Sequence, residues 1–180
     1  MDDRLRHLER AAQQGDPGAA LRLLRERMRG ASDLTFCSGR TLDWGLTAVL
    51  ADRASGLEVR LCVLHRAIDG ADRTMRRLLE GPPPRVVVDL GQAARLGTDG
   101  FAALLRASDA LEGAGGGLVL IRASRRIQLF IEMLGLKGYF RQRDDLREAV
   151  RALTRPRPVQ RRALPERPLA GIPAPPRHRR

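Results

Sequence analysis

At 180 residues the chain is long enough for one domain with a proper core and some appendages. No apolar run approaches the length of a membrane span, and Met1-Asp2-Asp3-Arg4 opens the chain without the apolar stretch of a signal peptide, so a cytoplasmic protein is expected. The net charge of +12 is uneven: residues 154–180 carry eight arginines against Glu166, a net +7, which leaves the rest only mildly basic at +5.

Residues 1–30 read as a helical hairpin. Leu5, Leu8 and Ala12 fall at helical spacing, Gly15 ends the first helix, Asp16 can cap the second, and Pro17 suits its first position. Leu21, Leu24 and Met28 continue one apolar face of the second helix. Each helix is too short to stand alone and must dock on something. Residues 33–56 are the least regular part. Leu34-Thr35-Phe36-Cys37 suggests a short strand, and Leu42–Ala54 suggests a helix burying Trp44, Leu46, Val49 and Leu50. Cys37 and Cys62 lie in apolar runs with no histidine at metal-ligand spacing, so both are expected as buried, reduced thiols, and no metal or other cofactor is implied.

From Leu57 the pattern firms. Leu57, Val59, Leu61 and Val63 alternate with Glu58, Arg60, Cys62 and Leu64, as in a strand with one better-buried face. Ala71–Leu79 is expected to be helical, and Gly81-Pro82-Pro83-Pro84 ends it. Val86-Val87-Val88 is a β-branched run suited to a central strand covered on both faces. Phe101–Glu112 reads as a helix with Leu104, Leu105, Ala107 (or Ser108) and Leu111 inward. Leu118–Ile121 is a second buried strand. Ser124 can cap a following helix that Gly135 stops, and Asp144 or Asp145 can cap a last one, with Leu146, Ala149, Val150 and Leu153 inward. Beyond Leu153, seven prolines and the eight arginines show no apolar periodicity, which predicts a disordered or polyproline-like tail.

Three regions result: 1–56, a helical hairpin with an extension; 57–153, a small layered α/β domain; and 154–180, the Arg/Pro-rich tail. No phosphate-cradling fingerprint is present. Gly113-Ala114-Gly115-Gly116-Gly117 follows a helix and precedes a strand, the reverse of the order such a loop needs. His7, His65 and His178 are scattered, and no Ser/His/Asp or Cys/His set can be assembled, so an enzyme is not expected.

The stretch that tells most is 85–101. The strand ends in Asp89-Leu90, a short loop follows, and Gly97-Thr98-Asp99-Gly100-Phe101 opens a helix, where unpaired N–H groups and partial positive charge favour an anion or a partner's carboxylate. Asp99 suits a cap or a first-turn position there, Thr98 suits a cap, and Gly97 would relax the turn.

This order of elements resembles the STAS domain, a family that includes the bacterial anti-sigma factor antagonists and the small cytosolic subunit of a lipid-transport ABC complex. The resemblance covers about residues 57–153. It rests on Ile68-Asp69 before a helix, on Val86-Val87-Val88-Asp89-Leu90, on Leu96-Gly97-Thr98-Asp99-Gly100-Phe101, on Gly116-Gly117-Leu118-Val119-Leu120, and on Leu134-Gly135-Leu136 with Tyr139-Phe140. The resemblance implies a mixed central sheet flanked by helices and a non-catalytic regulatory module. In the family's antagonists, a kinase-type anti-sigma factor phosphorylates the hydroxyl residue just before the glycine, and the added charge releases the partner.

Here that position is Asp99, and the usual acidic residue is Gly97. An aspartate cannot accept phosphate from a Ser/Thr-type kinase, so no conventional phosphoswitch is expected; Thr98 is left as the possible phosphoacceptor. The expected partner-binding loop is Gly97, Thr98, Asp99, Gly100 and Phe101, and the expected partner an anti-sigma factor kinase or other signalling protein. Two alternatives stand beside this: an accessory subunit on an ABC ATPase, which needs no phosphoacceptor, and nucleic-acid association through the arginines of the tail, without aromatic stacking.

Overall fold

A computed structural model describes residues 3–14, 16–30, 33–42, 45–64, 83–93 and 96–154. The expected helix at 71–79 and the tail lie outside the described residues. In chain order the elements are α1 (Asp3–Gln13), α2 (Pro17–Gly30), β1 (Leu34–Leu42), β2 (Gly45–Asp52), β3 (Glu58–Leu64), β4 (Arg85–Asp89), α3 (Thr98–Gly113), β5 (Gly117–Ile121), α4 (Arg125–Met133), β6 (Arg141–Arg143) and α5 (Leu146–Thr154).

The strands form one mixed six-stranded sheet in the order β1-β2-β3-β4-β5-β6. β1 pairs with β2 and β2 with β3 antiparallel, and β3 to β6 are parallel. Strand alternation divides the core between two faces. Leu61, Val63, Val87, Val119 and Ile121 face a layer made of α1, α2 and α5. Cys62, Leu64, Val88 and Leu120 face α3 and α4. Val86, Val87 and Val88 are each fully buried, as a central strand covered on both sides requires.

The N-terminal hairpin forms as its sequence directs. Asp16 Oδ1 accepts from the N–H groups of Gly18 (2.8 Å) and Ala19 (3.1 Å), which satisfies two orphan donors of α2, and Pro17 takes the first helical position. The buried face of α2 is carried by Ala19, Ala20 and Leu23, while Leu21, Leu24 and Met28 are only half-buried. Small alanines let α2 lie close to the sheet.

The expected helix over 42–54 is instead the last residue of β1, strand β2 and a turn, with Trp44 outside the described residues. Leu46, Ala48 and Leu50 are buried at strand spacing, and Thr47, Val49 and Ala51 are half-buried on the other face. Leu42, Leu46, Val49 and Leu50 happen also to fit a helical repeat. Backbone pairing with β3, Leu46 opposite Val63 and Ala48 opposite Leu61, decides between the two. Strand β1 runs on past Cys37 to Leu42 with a bulge between Phe36 and Ser38. Cys37 is exposed there, contrary to expectation, and Cys62 is buried; both thiols are free.

The caps near the other end hold. Ile127 N–H donates to Ser124 Oγ (3.4 Å), and Glu148 N–H donates to Asp145 Oδ1 (2.8 Å), so Asp145 rather than Asp144 caps α5.

Candidate functional site: the start of α3

Strand β4 delivers its last residue, Asp89, to the rim of the sheet, where it is buried. Its carboxylate accepts from Gly91 N–H (2.9 Å) and Arg122 Nε (3.0 Å), with a further ion pair to Arg122 Nη2. Arg122 follows β5 directly and sits in the left-handed backbone region at φ 54°. Its guanidinium holds its proton more tightly than usual, mainly through the hydrogen bond to Asp89. The start of the β4–α3 loop is thereby tied to the end of β5, and Leu90 N–H reinforces this by donating to Ile121 O (3.0 Å).

The helix begins at Thr98. Gly97 occupies the cap position in extended conformation (φ −79°, ψ 177°), and no side chain caps the helix. The first helical hydrogen bond runs from Phe101 N–H to Gly97 O (3.0 Å). The N–H groups of Thr98, Asp99 and Gly100 therefore have no partner within the helix. Neither Thr98 nor Asp99 is the expected cap: both lie one step too far along, as first and second helical residues, and both are exposed. Asp99 keeps the first-turn position in which its charge opposes the helix dipole. Gly97 is not needed to relax the turn, because its φ is ordinary and a Cβ there would meet nothing within 4 Å.

Gly100 and Phe101 turn inward. A Cβ on Gly100 would come within 2.6 Å of Leu96 Cδ1, so a larger residue there would push aside the leucine that folds under the helix start. Phe101 is 1% exposed, and its ring centroid lies 5.1 Å from that of Phe130 on α4. Of the five residues expected to form a partner-binding loop, the surface thus holds Gly97, Thr98 and Asp99, while Gly100 and Phe101 set their position from below.

Sequence reasoning missed the neighbouring apolar surface. Leu129, Met133 and Leu134 are exposed at 43, 77 and 41%, on the helix whose Phe130 contacts Phe101 and at the residue that follows it. The amphipathic pattern of α4 carries more apolar residues than one buried stripe needs, and that excess was the available signal. Its buried stripe is Ile127 and Ile131.

A model of the STAS domain matches residues 53–149. The chain belongs to the STAS domain family. The STAS match covers β3 to the first four residues of α5 and leaves α1, α2, β1 and β2 outside it. A Thermotoga maritima structure assigned as an anti-sigma factor antagonist superposes with a TM-score of 0.51 at 11% identity, over 66% of this chain and 94% of that one. An anti-sigma factor antagonist from Mycobacterium paratuberculosis superposes with a TM-score of 0.49 at 20% identity, over 69% and 98%. At 11% identity the likeness to the Thermotoga maritima structure is one of fold. No curated protein sequence matches the chain. Among the described residues, no helix is long and apolar enough to cross a membrane, and no three His, Cys, Asp or Glu side chains gather as a metal site.

Proposed function

We propose that this STAS domain is a non-catalytic regulatory module that docks a signalling protein, an anti-sigma factor kinase or a relative of one, at the start of α3. Asp99 supplies a fixed charge where an antagonist of this family would carry a switchable hydroxyl. The observation that carries the reading is the division of labour at 97–101: Thr98 and Asp99 stand exposed on a helix N-terminus without a side-chain cap, while Gly100 and Phe101 are buried beneath it. Leu129, Met133 and Leu134 on the neighbouring helix supply the apolar contact area that a protein partner needs.

A phosphoryl group carries nearly two charges and three acceptor oxygens, whereas Asp99 carries one charge and two. The docking surface is therefore weakened for a partner that prefers the uncharged form, yet never fully closed to it. Thr98 offers the adjacent exposed hydroxyl, and phosphate there would add a second anion at the same helix terminus.

Affinity purification of the wild type beside Asp99→Ser and Asp99→Ala from the native host tests this. An ATP-binding anti-sigma kinase should be recovered, and more of it with Asp99→Ser. Recovery of an ABC ATPase, or of a stable partner indifferent to Asp99, would overturn it. Nucleic-acid association through the arginines of residues 155–180 is a separate property, read from retention on a low-salt DNA column.

A further inference from the structure

On the sheet face opposite α3 and α4, the helices leave a gap. The α1–α2 hairpin covers one side of that face and α5 the other. Between them opens a cavity of about 280 Å³, walled by Leu24 and Met28 of α2, Leu61 and Val63 of β3, Ile121 of β5, and Leu146 of α5. Asp89 and Arg122 lie at its polar end and neutralise each other. Asp144 and Asp145 also line it, and among the described residues neither has an ion pair. An apolar groove with two exposed carboxylates at its edge, one of them also the cap of α5, is thus set into a chain of net charge +12.

We propose that the chain's own Arg/Pro-rich segment, centred on Arg161-Arg162-Ala163-Leu164-Pro165, folds back into this groove. Its arginines meet Asp144 and Asp145, and Leu164 enters the apolar part. Charge is the first argument: residues 155–180 hold eight arginines against one glutamate, a net +7 of the chain's +12. Reach is the second. The groove adjoins the first residue of the nine-residue helix α5, and the segment leaves from the last. At about 1.5 Å per helical residue the return distance is on the order of 13 Å, which about four extended residues cover. Arg161 and Arg162, seven and eight residues past Thr154, arrive with chain to spare.

Tethering is the third argument. A segment joined to its site by a short linker faces it at an effective concentration on the order of millimolar, so a contact too weak to hold a free ligand keeps the groove filled. The prolines reduce the entropy lost on docking. The hairpin wall of the groove and the basic segment both lie outside the residues that match the STAS family.

The test uses the full chain with Cys37→Ser and Ala163→Cys, labelled with a nitroxide at position 163; Cys62 is buried and stays unlabelled. In an isotope-labelled sample freed of nucleic acid, the amide signals of Met28, Gln92 and Leu146 should lose most of their intensity relative to the reduced label. Arg161→Glu with Arg162→Glu, changes that touch no described element, should restore them. So should Asp144→Asn with Asp145→Asn, in which asparagine preserves the cap of α5, and 1 M salt, where the screening length falls to about 3 Å. Broadening that is absent from the groove, or unchanged by Arg161→Glu with Arg162→Glu, would overturn the proposal. So would broadening seen only between a nitroxide-labelled molecule and a separate isotope-labelled one, since another copy would then fill the groove.

Discussion

Arg122 donates from Nε and Nη2 to the carboxylate of Asp89, joining the last residue of β4 to the residue just after β5. Asp89 is almost fully buried and Arg122 is half-exposed, so the arginine is the solvent-facing lid on a buried anion. Removing it strands that anion. Loss of one partner from a fully buried pair costs about 3–5 kcal/mol, and the half-exposed arginine brings the expectation for Arg122→Ala to about 2 kcal/mol. Backbone conformation adds a second layer. At φ 54° an alanine keeps the left-handed strain that a glycine avoids. Arg122→Gly should therefore be less destabilising than Arg122→Ala by about 0.5–1 kcal/mol. Urea unfolding of the two variants beside wild type checks the order; the reverse order would mean that the left-handed backbone at this position carries no strain.

The start of α3 separates two glycines that look alike in sequence. Gly97 has open space around it and an ordinary φ, so Gly97→Asp should fold with stability within a few tenths of a kcal/mol of wild type or slightly above it, because it adds a side-chain cap. Gly100→Ala places a methyl group against Leu96 Cδ1 and forces that buried leucine aside, at a cost of about 1–2 kcal/mol. Thermal melts distinguish them. Equal loss in both variants would contradict the packing described for Leu96.

The turn before β5 carries a harder constraint. A Cβ on Gly116 would lie 1.8 Å from the carbonyl oxygen of Pro84, and Gly117 N–H donates to that same oxygen at 3.0 Å. Backbone cannot yield as a flexible side chain does, so Gly116→Ala should cost at least about 3 kcal/mol or abolish folding. Gly113→Ala, at the last residue of α3 with nothing within 4 Å, should be neutral or mildly stabilising, since alanine is the better helix former. Expression yield and melting temperature of the pair provide the comparison. Gly116 thus answers to close backbone approach, consistent with the order of elements that excluded a phosphate loop.

Where the sequence was legible, local chemistry and tertiary environment agreed. Val86-Val87-Val88 reads as a central strand because β-branched residues covered on both faces leave no room for polar alternation, and Asp16, Ser124 and one of Asp144 or Asp145 read as caps because their oxygens do the same work in any context. Strand β2 was misread because an apolar residue on its second face, Val49, completed a helical repeat; only pairing with β3 removes the ambiguity. Strand β6, Arg141-Gln142-Arg143, has no apolar signal at all, since an edge strand held by backbone pairing to β5 needs none. At the site, the exposed charge at Asp99 was readable, and the inward turn of Phe101 was not. Its burial depends on Phe130, a residue 29 positions away that approaches only once α4 has packed.

The two cysteines give a prediction with a definite sign in pH. Burial pushes the Cys62 thiol up to about 12, while Cys37 is exposed. In the native state a thiol reagent at pH 8 should modify the exposed Cys37 and leave Cys62 intact, with both reacting in denaturant; the thiolate is the nucleophile and Cys62 supplies almost none. The same shift links to stability. The folded state holds the Cys62 proton more tightly than the unfolded chain, whose thiol titrates near the ordinary value of 9.0. The contribution is therefore complete below pH 9.0 and is lost as the pH rises toward about 12, with a limiting slope of about 1.4 kcal/mol per pH unit. Cys62→Ala removes this slope while opening a small cavity in the core beside Val88. Urea midpoints at pH 8 and pH 10 should thus fall further apart for wild type than for Cys62→Ala. An equal fall in both would assign the alkaline instability to other groups.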